Sequence, residues 1–483
     1  MKNLFKLKKE LNLGMLMALT LVYSSSRLLA TEARSAGMGI STANENTWAT
    51  EGQLPYIYSN PAAIGNFGPM IYGEYGAIGG LGKGGIILQP TSALNVGIFV
   101  GHTADTAGIT KIHTAFTSFA PTNLGVPSVF SLIGINAGLT NQNASLIGEY
   151  NLGKFILGAG FSYARAAKTA TSKDTNTKQD ITVNVSDIVL KPVIGFIFDA
   201  NKLKFDGSIA YRINGVDDSN TFKDAINNID QKETYKNNGL GDIVSDFQAI
   251  FEAGHNTLHA TVGFDYLDRN SKYDFSFTSA AGTFTNEVNY FESGYKIKAG
   301  ISDELKISND VLAFAGVGFS MENITTSTPS FKSVLNSGTP TTGYMGAFQK
   351  STDTRILVPV FLGMEASLSE KWQGRFGVKA NLFDIKPAIA YTSTVVTPGA
   401  TSGTSITTKA ETWNDSAPRF ATGITFKISN LAADWNVSVP LFTSGPFIVS
   451  GNAIPAGMAT DFAVSYKFGE NSGKTTIKKD DIR

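Results

Sequence analysis

Two histidines stand close enough in this sequence to raise the question of a metal site. His255 and His259 lie four residues apart, and the whole chain has four histidines and no cysteine. On the strand predicted for this region both fall on one polar side near a turn. Zinc would need a third ligand and supporting hydrogen bonds there, and the sequence offers neither. No metal site and no cofactor are therefore predicted.

A glycine-rich stretch and the serines raise the question of phosphate binding and of nucleophilic catalysis. Residues 79–85 are rich in glycine, but no Ser or Thr follows Lys83 and no glycine stands five residues before Gly82. A glycine-rich hairpin is the better interpretation. The chain has no cysteine thiolate and no Gly-x-Ser-x-Gly elbow. The sequence predicts no catalytic residues, and the protein is not expected to be an enzyme.

Residues 32–67 differ in pattern from the rest of the chain. They do not alternate like a strand, and they are too apolar and too rich in glycine for a simple linker. Asn60 can cap a short helical turn, Pro61 suits the first helical position with its fixed φ, and Gly65 suits a left-handed stop. The pattern predicts a compact element that could plug a pore.

The first thirty residues resemble an export signal. Lysines precede an apolar stretch over residues 11–22, and small and polar residues follow it up to Ala30. The stretch is too short to span about 30 Å of hydrocarbon comfortably, and it contains Asn12 and Thr20. A signal peptide over residues 1–30 is predicted.

Composition favours one large β structure in the remaining chain. Glycine is abundant at 49 residues, and Lys plus Arg balance Asp plus Glu at 40 each. No segment after the signal approaches the roughly 18 uninterrupted apolar residues of a membrane helix, so any membrane span must be made of strands. The zero net charge and the lack of a basic segment beyond the chain ends argue against a nucleic-acid partner.

Period-two alternation recurs in segments of about ten residues, which is typical of half-buried strands. Between residues 202 and 213, one face carries Phe205 and Ile209, while the other carries Asp206 and Arg212. The same pattern recurs in residues 258–266, 372–380 and 431–439.

Short and long connections alternate between these segments. Short turns are predicted near residues 151–154, 199–201, 254–256, 302–309, 369–371 and 429–430. Long polar insertions separate them, at residues 166–184, 214–245, 268–288, 323–354 and 384–417. A soluble β-sandwich also alternates, but an outer-membrane barrel segregates tight periplasmic turns from long outer loops. Counting from Met70 gives about sixteen strands.

The last predicted strand, residues 461–468, places Phe462 and Tyr466 on one face and Asp461 and Ser465 on the other. It resembles the C-terminal β-signal of outer-membrane proteins, which ends in an aromatic residue. Phe468 departs from that signal because it is not terminal, and a polar tail follows over residues 469–483.

Two short motifs precede the strands. The first has the form Arg-x-x-Gly-Met-Gly and consists of Arg34, Gly37, Met38 and Gly39. The second, about twenty residues later, reads Asn60-Pro61-Ala62 within residues 58–64. Together, just after a signal peptide and just before a barrel, they resemble the FadL/TodX long-chain fatty acid transporter superfamily, which includes PorV-like relatives. The motifs cover only a small part of the chain, and the rest matches in pattern rather than in motif.

The resemblance implies a barrel of about fourteen strands with an N-terminal hatch folded into its lumen. It implies that Asn60, Pro61 and Ala62 belong to the hatch and that the residues before them belong to its gating part. In that family hydrophobic molecules enter from outside, move past the hatch and leave sideways through a gap in the wall. In the PorV-like relatives the scaffold serves protein secretion instead, and the motifs do not separate the two roles.

The expected organisation follows. Residues 1–30 form a signal peptide, residues 31–67 a hatch, residues 68–468 an all-β, antiparallel up-and-down transmembrane barrel of about 14–16 strands, and residues 469–483 a polar tail.

The leading hypothesis is an outer-membrane transporter for hydrophobic small molecules such as long-chain fatty acids, because apolar area costs about 25 cal/mol per Å² to wet in an aqueous pore. The expected partners are this cargo and the outer-membrane lipids. The alternatives are a surface barrel whose long loops bind a surface or secretion protein, as a secretion component or adhesin, and a general diffusion porin.

Overall fold

The structure is a computed structural model that describes most of the chain after residue 53. The described residues are 54–76, 82–101, 140–174, 178–226, 228–237, 241–279, 282–333, 344–386, 389–396, 412–413, 419–440 and 459–468. The predicted signal peptide, the predicted tail and the first motif, with Arg34, Gly37, Met38 and Gly39, lie outside these ranges.

Nineteen strand segments form one antiparallel sheet. Their bounds are β1 Met70–Gly76, β2 Gly82–Thr91, β3 Leu94–Val100, β4 Thr140–Asn151, β5 Phe155–Asp174, β6 Gln179–Ala200, β7 Leu203–Asp224, β8 Ile229–Asn237, β9 Asp242–Ala253, β10 Asn256–Ser279, β11 Gly282–Lys306, β12 Val311–Ser333, β13 Tyr344–Ser367, β14 Trp372–Lys386, β15 Ile389–Val396, β16 Thr412–Trp413, β17 Arg419–Ile428, β18 Leu431–Pro440 and β19 Ala459–Lys467.

The sheet closes on itself, because β1 pairs with β19 as well as with β2. The register at the closure places Met70 opposite Lys467, and the N–H of Phe468 donates to the carbonyl oxygen of Pro69 at 3.2 Å. Closure gives both β1 and β19 a paired neighbour on each side, which is how a barrel avoids a free first and last strand.

Sixteen strands make up the wall. β8 and β9 both lie between β7 and β10, so they form one interrupted strand. β14 and β15 share the neighbour β13, and β16 and β17 share the neighbour β14, so each pair again fills one wall position. The predicted up-and-down antiparallel barrel is confirmed, at the upper end of the predicted strand number.

The two faces of the wall are those that the alternation predicted. Ile209, Val262 and Trp435 point outward and are 55%, 53% and 53% exposed, while Asp206 and Asp434 on the same sheet point inward and are buried. On β10 the outward apolar side chains run from Leu258 to Tyr266, a length close to the roughly 9–11 residues of a membrane-crossing strand. The barrel is therefore apolar outside and polar inside.

The tight turns that the sequence predicted all lie at one end of the barrel. At the β4–β5 turn Oδ1 of Asn151 accepts the N–H of Gly153 at 2.7 Å, and at the β6–β7 turn Oδ1 of Asp199 accepts the N–H of Asn201 at 2.9 Å. Asn201 adopts a φ of 68°, which asparagine tolerates better than most residues.

The prediction of long loops at the other end is wrong for the described residues. Those segments continue the strands, so that β5 runs to Asp174, β10 to Ser279 and β12 to Ser333. The physical reason concerns the wall beyond the apolar belt, which is the height of the barrel covered by outward apolar side chains. A wall beyond this belt can meet water on both faces, so its sequence loses the alternation of apolar and polar residues and resembles a loop. Between Leu267 and Ser279 the wall rises roughly 30 Å above the belt, for about 3.3 Å per residue and a tilt near 40°.

Before β1 the chain forms two 3₁₀ helices, Leu54–Tyr58 and Pro61–Asn66. Residues 54–67, called the inner segment below, pack against inward-facing side chains of the wall. The main apolar core consists of Tyr56, Ile57, Ala62, Ala63, Ile64 and Phe67 with Met70, Tyr72, Ile87, Phe99, Ile147 and Ile197 from the strands. No helix in the described ranges is long and apolar enough to cross a membrane.

Candidate functional site

The second 3₁₀ helix starts at the Asn-Pro-Ala motif. Asn60 has extended backbone angles, and its Oδ1 accepts the N–H of Ala62 at 3.1 Å, as a helix cap does. Pro61 occupies the first helical position, where its missing N–H needs no partner. All three residues of the motif are buried. The predicted cap and helix start are confirmed.

The predicted left-handed stop is at another residue. Gly65 lies within the helix, and the residue with positive φ is Gly68, at 66°. Gly65 is small for a different reason, because a Cβ there would collide with the carboxylate of Glu149. The N–H of Gly65 donates to Oε2 of Glu149 on β4. This glycine permits close approach to the wall rather than a turn.

Two glycines form a notch in the wall that receives the motif. A Cβ on Gly158 of β5 would collide with the backbone of Pro61 and Ala62. A Cβ on Gly195 of β6 would collide with Oδ1 of Asn60. Because backbone at the first of these contacts cannot move aside as a side chain can, the motif fits only where the wall lacks side chains.

Side-chain hydrogen bonds fasten the inner segment to several strands. Tyr56 donates to Oδ1 of Asp206 on β7, and Nδ2 of Asn60 donates to the carbonyl oxygen of Phe196 on β6 at 3.3 Å. The hydroxyls of Tyr58 and Tyr72 lie 2.9 Å apart. With the contact of Glu149, these bonds reach β1, β4, β6 and β7.

The inner face of the wall from β7 to β18 is lined by ion pairs. Their members are buried, with the exception of half-buried partners such as Arg355, Asp246 and Asp265. The pairs are Arg212–Asp242 at 2.9 Å, Arg269–Asp242 at 2.6 Å, Arg269–Glu292 at 3.2 Å, Lys298–Asp246 at 3.1 Å, Lys298–Asp265 at 3.0 Å, Arg355–Asp384 at 2.7 Å and Arg375–Asp434 at 2.8 Å. Each of these cations is held by a carboxylate of the wall itself.

His259 is buried in this polar side, whereas His255 is exposed at the β9–β10 turn. Nδ1 of His259 lies 2.6 Å from Nε2 of Gln248, and its Nε2 lies 3.5 Å from Oε1 of Glu304. A Gln248 amide that donates to Nδ1 leaves the ring proton on Nε2, facing Glu304. The described residues contain no group of three His, Asp or Glu side chains that could hold a metal.

The residues that sequence reasoning singled out are only partly brought together. Asn60, Pro61 and Ala62 lie together in one notch of the wall. The first motif, with Arg34, Gly37, Met38 and Gly39, lies outside the described residues. The residues that hold the inner segment were not predicted: they are Tyr56, Glu149, Gly158, Gly195 and Asp206. Glycine at an inward position of an otherwise alternating strand is the one sequence signal that could have indicated the notch.

No family model matches the chain, and no curated protein matches it. Among solved structures it is similar to the toluene transporter TodX of Pseudomonas putida, with 11% identity and a TM-score of 0.40 over 91% of this chain and 98% of that one. The toluene transporter TbuX of Ralstonia pickettii gives 11% and 0.39 over 92% and 100%. The monoaromatic hydrocarbon channel CymD gives 12% and 0.38 over 90% and 97%.

These three are hydrocarbon channels of the FadL family, which the two short motifs resemble. At TM-scores of 0.40 or less the likeness says nothing of cargo. The evidence for the barrel is the strand pairing of this chain, and the evidence for its function comes from its own side chains.

Proposed function

We propose that this protein is an outer-membrane channel that takes up hydrophobic small molecules past a hatch that includes the inner segment. The observation that carries the proposal is the seat of residues 54–67 on one inner side of a barrel that is apolar outside. A segment seated in the lumen is what a channel needs if it is to stay shut to water-soluble molecules and still admit an apolar one.

The outer face supports the membrane location. Its exposed apolar side chains include Ile209, Val262 and Trp435, and they cover a height close to that of a hydrocarbon core. Exposing so many of them to water would cost about 25 cal/mol for each Å² of apolar area. Monomeric soluble proteins rarely show apolar patches of this extent, so lipid is the surrounding that fits this wall.

The hatch in this proposal covers residues 31–67. Its described part is held by the Asn60-Pro61-Ala62 motif, and the proposed ligand path runs along this part and along the preceding motif of Arg34, Gly37, Met38 and Gly39. Hydrogen bonds to β1, β4, β6 and β7 hold the inner segment against one side of the lumen, and the proposed path runs beside it.

The cargo class follows from energetics. A hydrophobic solute gains nothing from an open aqueous pore, since it remains wetted throughout, whereas a path that the inner segment closes to bulk water reduces that wetting. Long-chain fatty acids and neutral aromatic hydrocarbons both satisfy this requirement. Within the proposal, long-chain fatty acids are the first cargo to test.

Uptake by cells that carry the barrel in an uptake-deficient background tests the proposal. Radiolabelled oleic acid and toluene serve as probes, and a variant that lacks residues 33–65 is compared with the parent. We expect changed uptake of at least one probe while the barrel stays heat-modifiable on gels. Unchanged uptake of both would contradict a hatch-gated channel.

Planar bilayers separate the channel from a diffusion porin. We expect the parent to show little open conductance and the deletion variant to show much more. Large conductance of the parent would favour the porin and overturn the proposed hatch.

The tall outer wall favours one second candidate, a surface barrel that binds a protein partner. β10 and β11 pair continuously as far as Ser279 and Gly282, well beyond the apolar belt. Such a wall offers surface above the membrane to a secretion or adhesion partner. Loss of a specific partner after shortening this hairpin, with uptake unchanged, would favour that function over transport.

A further inference from the structure

The hydrogen bonds of Asn60 have one consistent direction. Its Oδ1 accepts the N–H of Ala62, so the Nδ2 group must supply the donors. Nδ2 donates to the carbonyl oxygen of Phe196 at 3.3 Å and to the hydroxyl of Tyr56 at 3.4 Å. A flipped amide would place one carbonyl oxygen against another at Phe196. The amide orientation that caps the helix is thus the one that donates to Tyr56.

The donor–acceptor direction set at Asn60 also fixes the role of the Tyr56 hydroxyl. A hydroxyl that accepts from Asn60 has one proton left to donate, and Tyr56 donates it to Oδ1 of Asp206. Burial, and then the neighbouring Asp206 carboxylate, raise the pKa of Tyr56 well above its usual value, so the hydroxyl keeps that proton. A carboxylate accepts only, which fixes the end of the chain of bonds.

We propose that Asp206 is a positioning residue that holds the Asn60-Pro61-Ala62 motif in the glycine notch through the hydroxyl of Tyr56. The inference rests on the proposed function, in which this motif belongs to the hatch. It names the wall residue that sets how firmly the hatch is seated.

The position of Asp206 explains how this carboxylate holds the motif in the notch. The notch lies on β5 and β6, at Gly158 and Gly195, and Asp206 lies on the next wall strand, β7. Glu149 on β4 holds Gly65 at the other end of the helix. The inner segment is therefore fastened on both sides of its notch, and Asp206 provides the fastening on the β7 side.

Thiol labelling of a seated residue tests the proposal directly. Ala63 is fully buried against the wall, and the chain has no cysteine, so Ala63→Cys gives a single thiol that a methanethiosulfonate reagent reaches only when the segment leaves its seat. We expect Tyr56→Phe and Asp206→Ala each to speed labelling roughly tenfold to a hundredfold, the range for losing a buried hydrogen bond to a charged acceptor.

The hydrogen bonds from Asn60 to Tyr56 and from Tyr56 to Asp206 are called the relay below. The double variant distinguishes this relay from two separate contacts. If Asp206 acts through Tyr56, Tyr56→Phe with Asp206→Ala should label no faster than the faster single variant. Rates that multiply would overturn the relay. Tyr58→Phe is the matched control, because it removes the bond to Tyr72 in the same segment without touching the relay. An effect of Tyr56→Phe no larger than that of Tyr58→Phe would also overturn it.

One further readout and one further variant keep the outcome interpretable. Heat modifiability on gels should remain in every variant, because the strand pairing is unchanged. If Asp206→Ala does not fold, Asp206→Asn replaces it, since its amide oxygen is a weaker acceptor for the Tyr56 hydroxyl than a carboxylate and should also loosen the seat. Labelling is measured without cargo, so the relay can fail while uptake is normal, and uptake can fail while the relay holds.

Discussion

The two inner sides of the barrel are lined by different kinds of side chain. On the side of β1 to β7, the inner segment packs against mainly apolar side chains, and glycines such as Gly158 make room for its backbone. From β7 to β18, long charged side chains bind one another. One side depends on shape and the other on charge balance, so the same kind of substitution should act differently on each.

The charged side should respond most strongly when one pair is broken. Asp242 accepts from both Arg212 and Arg269, at 2.9 and 2.6 Å, and all three side chains are buried. We expect Asp242→Ala to lower the free energy of unfolding by about 3–5 kcal/mol, because two guanidinium groups each lose a buried carboxylate partner, while Arg269 keeps Glu292. Urea unfolding of the refolded barrel in lipid vesicles measures this.

The control for that variant is an exposed pair of the same chemistry. Asp180 lies 3.8 Å from Lys173 near the outer end of the β5–β6 hairpin, and both side chains are exposed to solvent. Asp180→Ala should cost less than about 1 kcal/mol. If Asp242→Ala costs no more than this control, the charged side does not stabilise the wall as described.

The apolar side should respond to a single added methyl group. Gly158→Ala places a Cβ against the backbone of Pro61 and Ala62, and we expect it to weaken the seat by about 1–3 kcal/mol. The measurement is faster thiol labelling at Ala63→Cys together with higher conductance in planar bilayers. Gly148→Ala on β4 is the matched control, because the nearest atom to its Cβ would be 3.9 Å away. Equal effects of the two variants would mean that the notch does not hold the motif.

The smallest effect should come from replacing a charged cluster as a whole. Arg375 bonds both Thr425 and Asp434 within the wall. Arg375→Met, Thr425→Val and Asp434→Leu together leave no polar atom of this trio behind, so the triple variant should lie within about 1.5 kcal/mol of the parent. The single variant Arg375→Met, measured by the same urea unfolding, should be clearly less stable than the triple. The reverse order would show that charge balance is not what this side requires.

Much of the wall could be predicted because alternation is a local property. Asp206 and Arg212 face the lumen and Phe205 and Ile209 face outward, as period-two counting requires. The turn at Asn201 follows from the tolerance of asparagine for positive φ. The same counting failed for residues 268–288, because beyond the apolar belt neither face needs to be oily.

The seat of the inner segment could be predicted only in part. The cap at Asn60 is encoded by its own neighbours, so the sequence indicates it. Gly158, Gly195 and Asp206 lie far along the chain from it, and nothing local says that an inward glycine faces a backbone rather than empty space. The role of Gly65 could not be predicted for the same reason, because its partner Glu149 belongs to a distant strand.

The pairing of β1 with β19 has a consequence for how the chain assembles. Because the first strand waits for the last, the ring stays open until almost the whole chain has been inserted. Within the described residues, the contacts of the inner segment come mainly from β1 to β7, which lie much earlier in the chain than β19. The N-terminal half of the wall can thus receive its segment through an open side, and the final strand closes the ring around a lumen that already holds it.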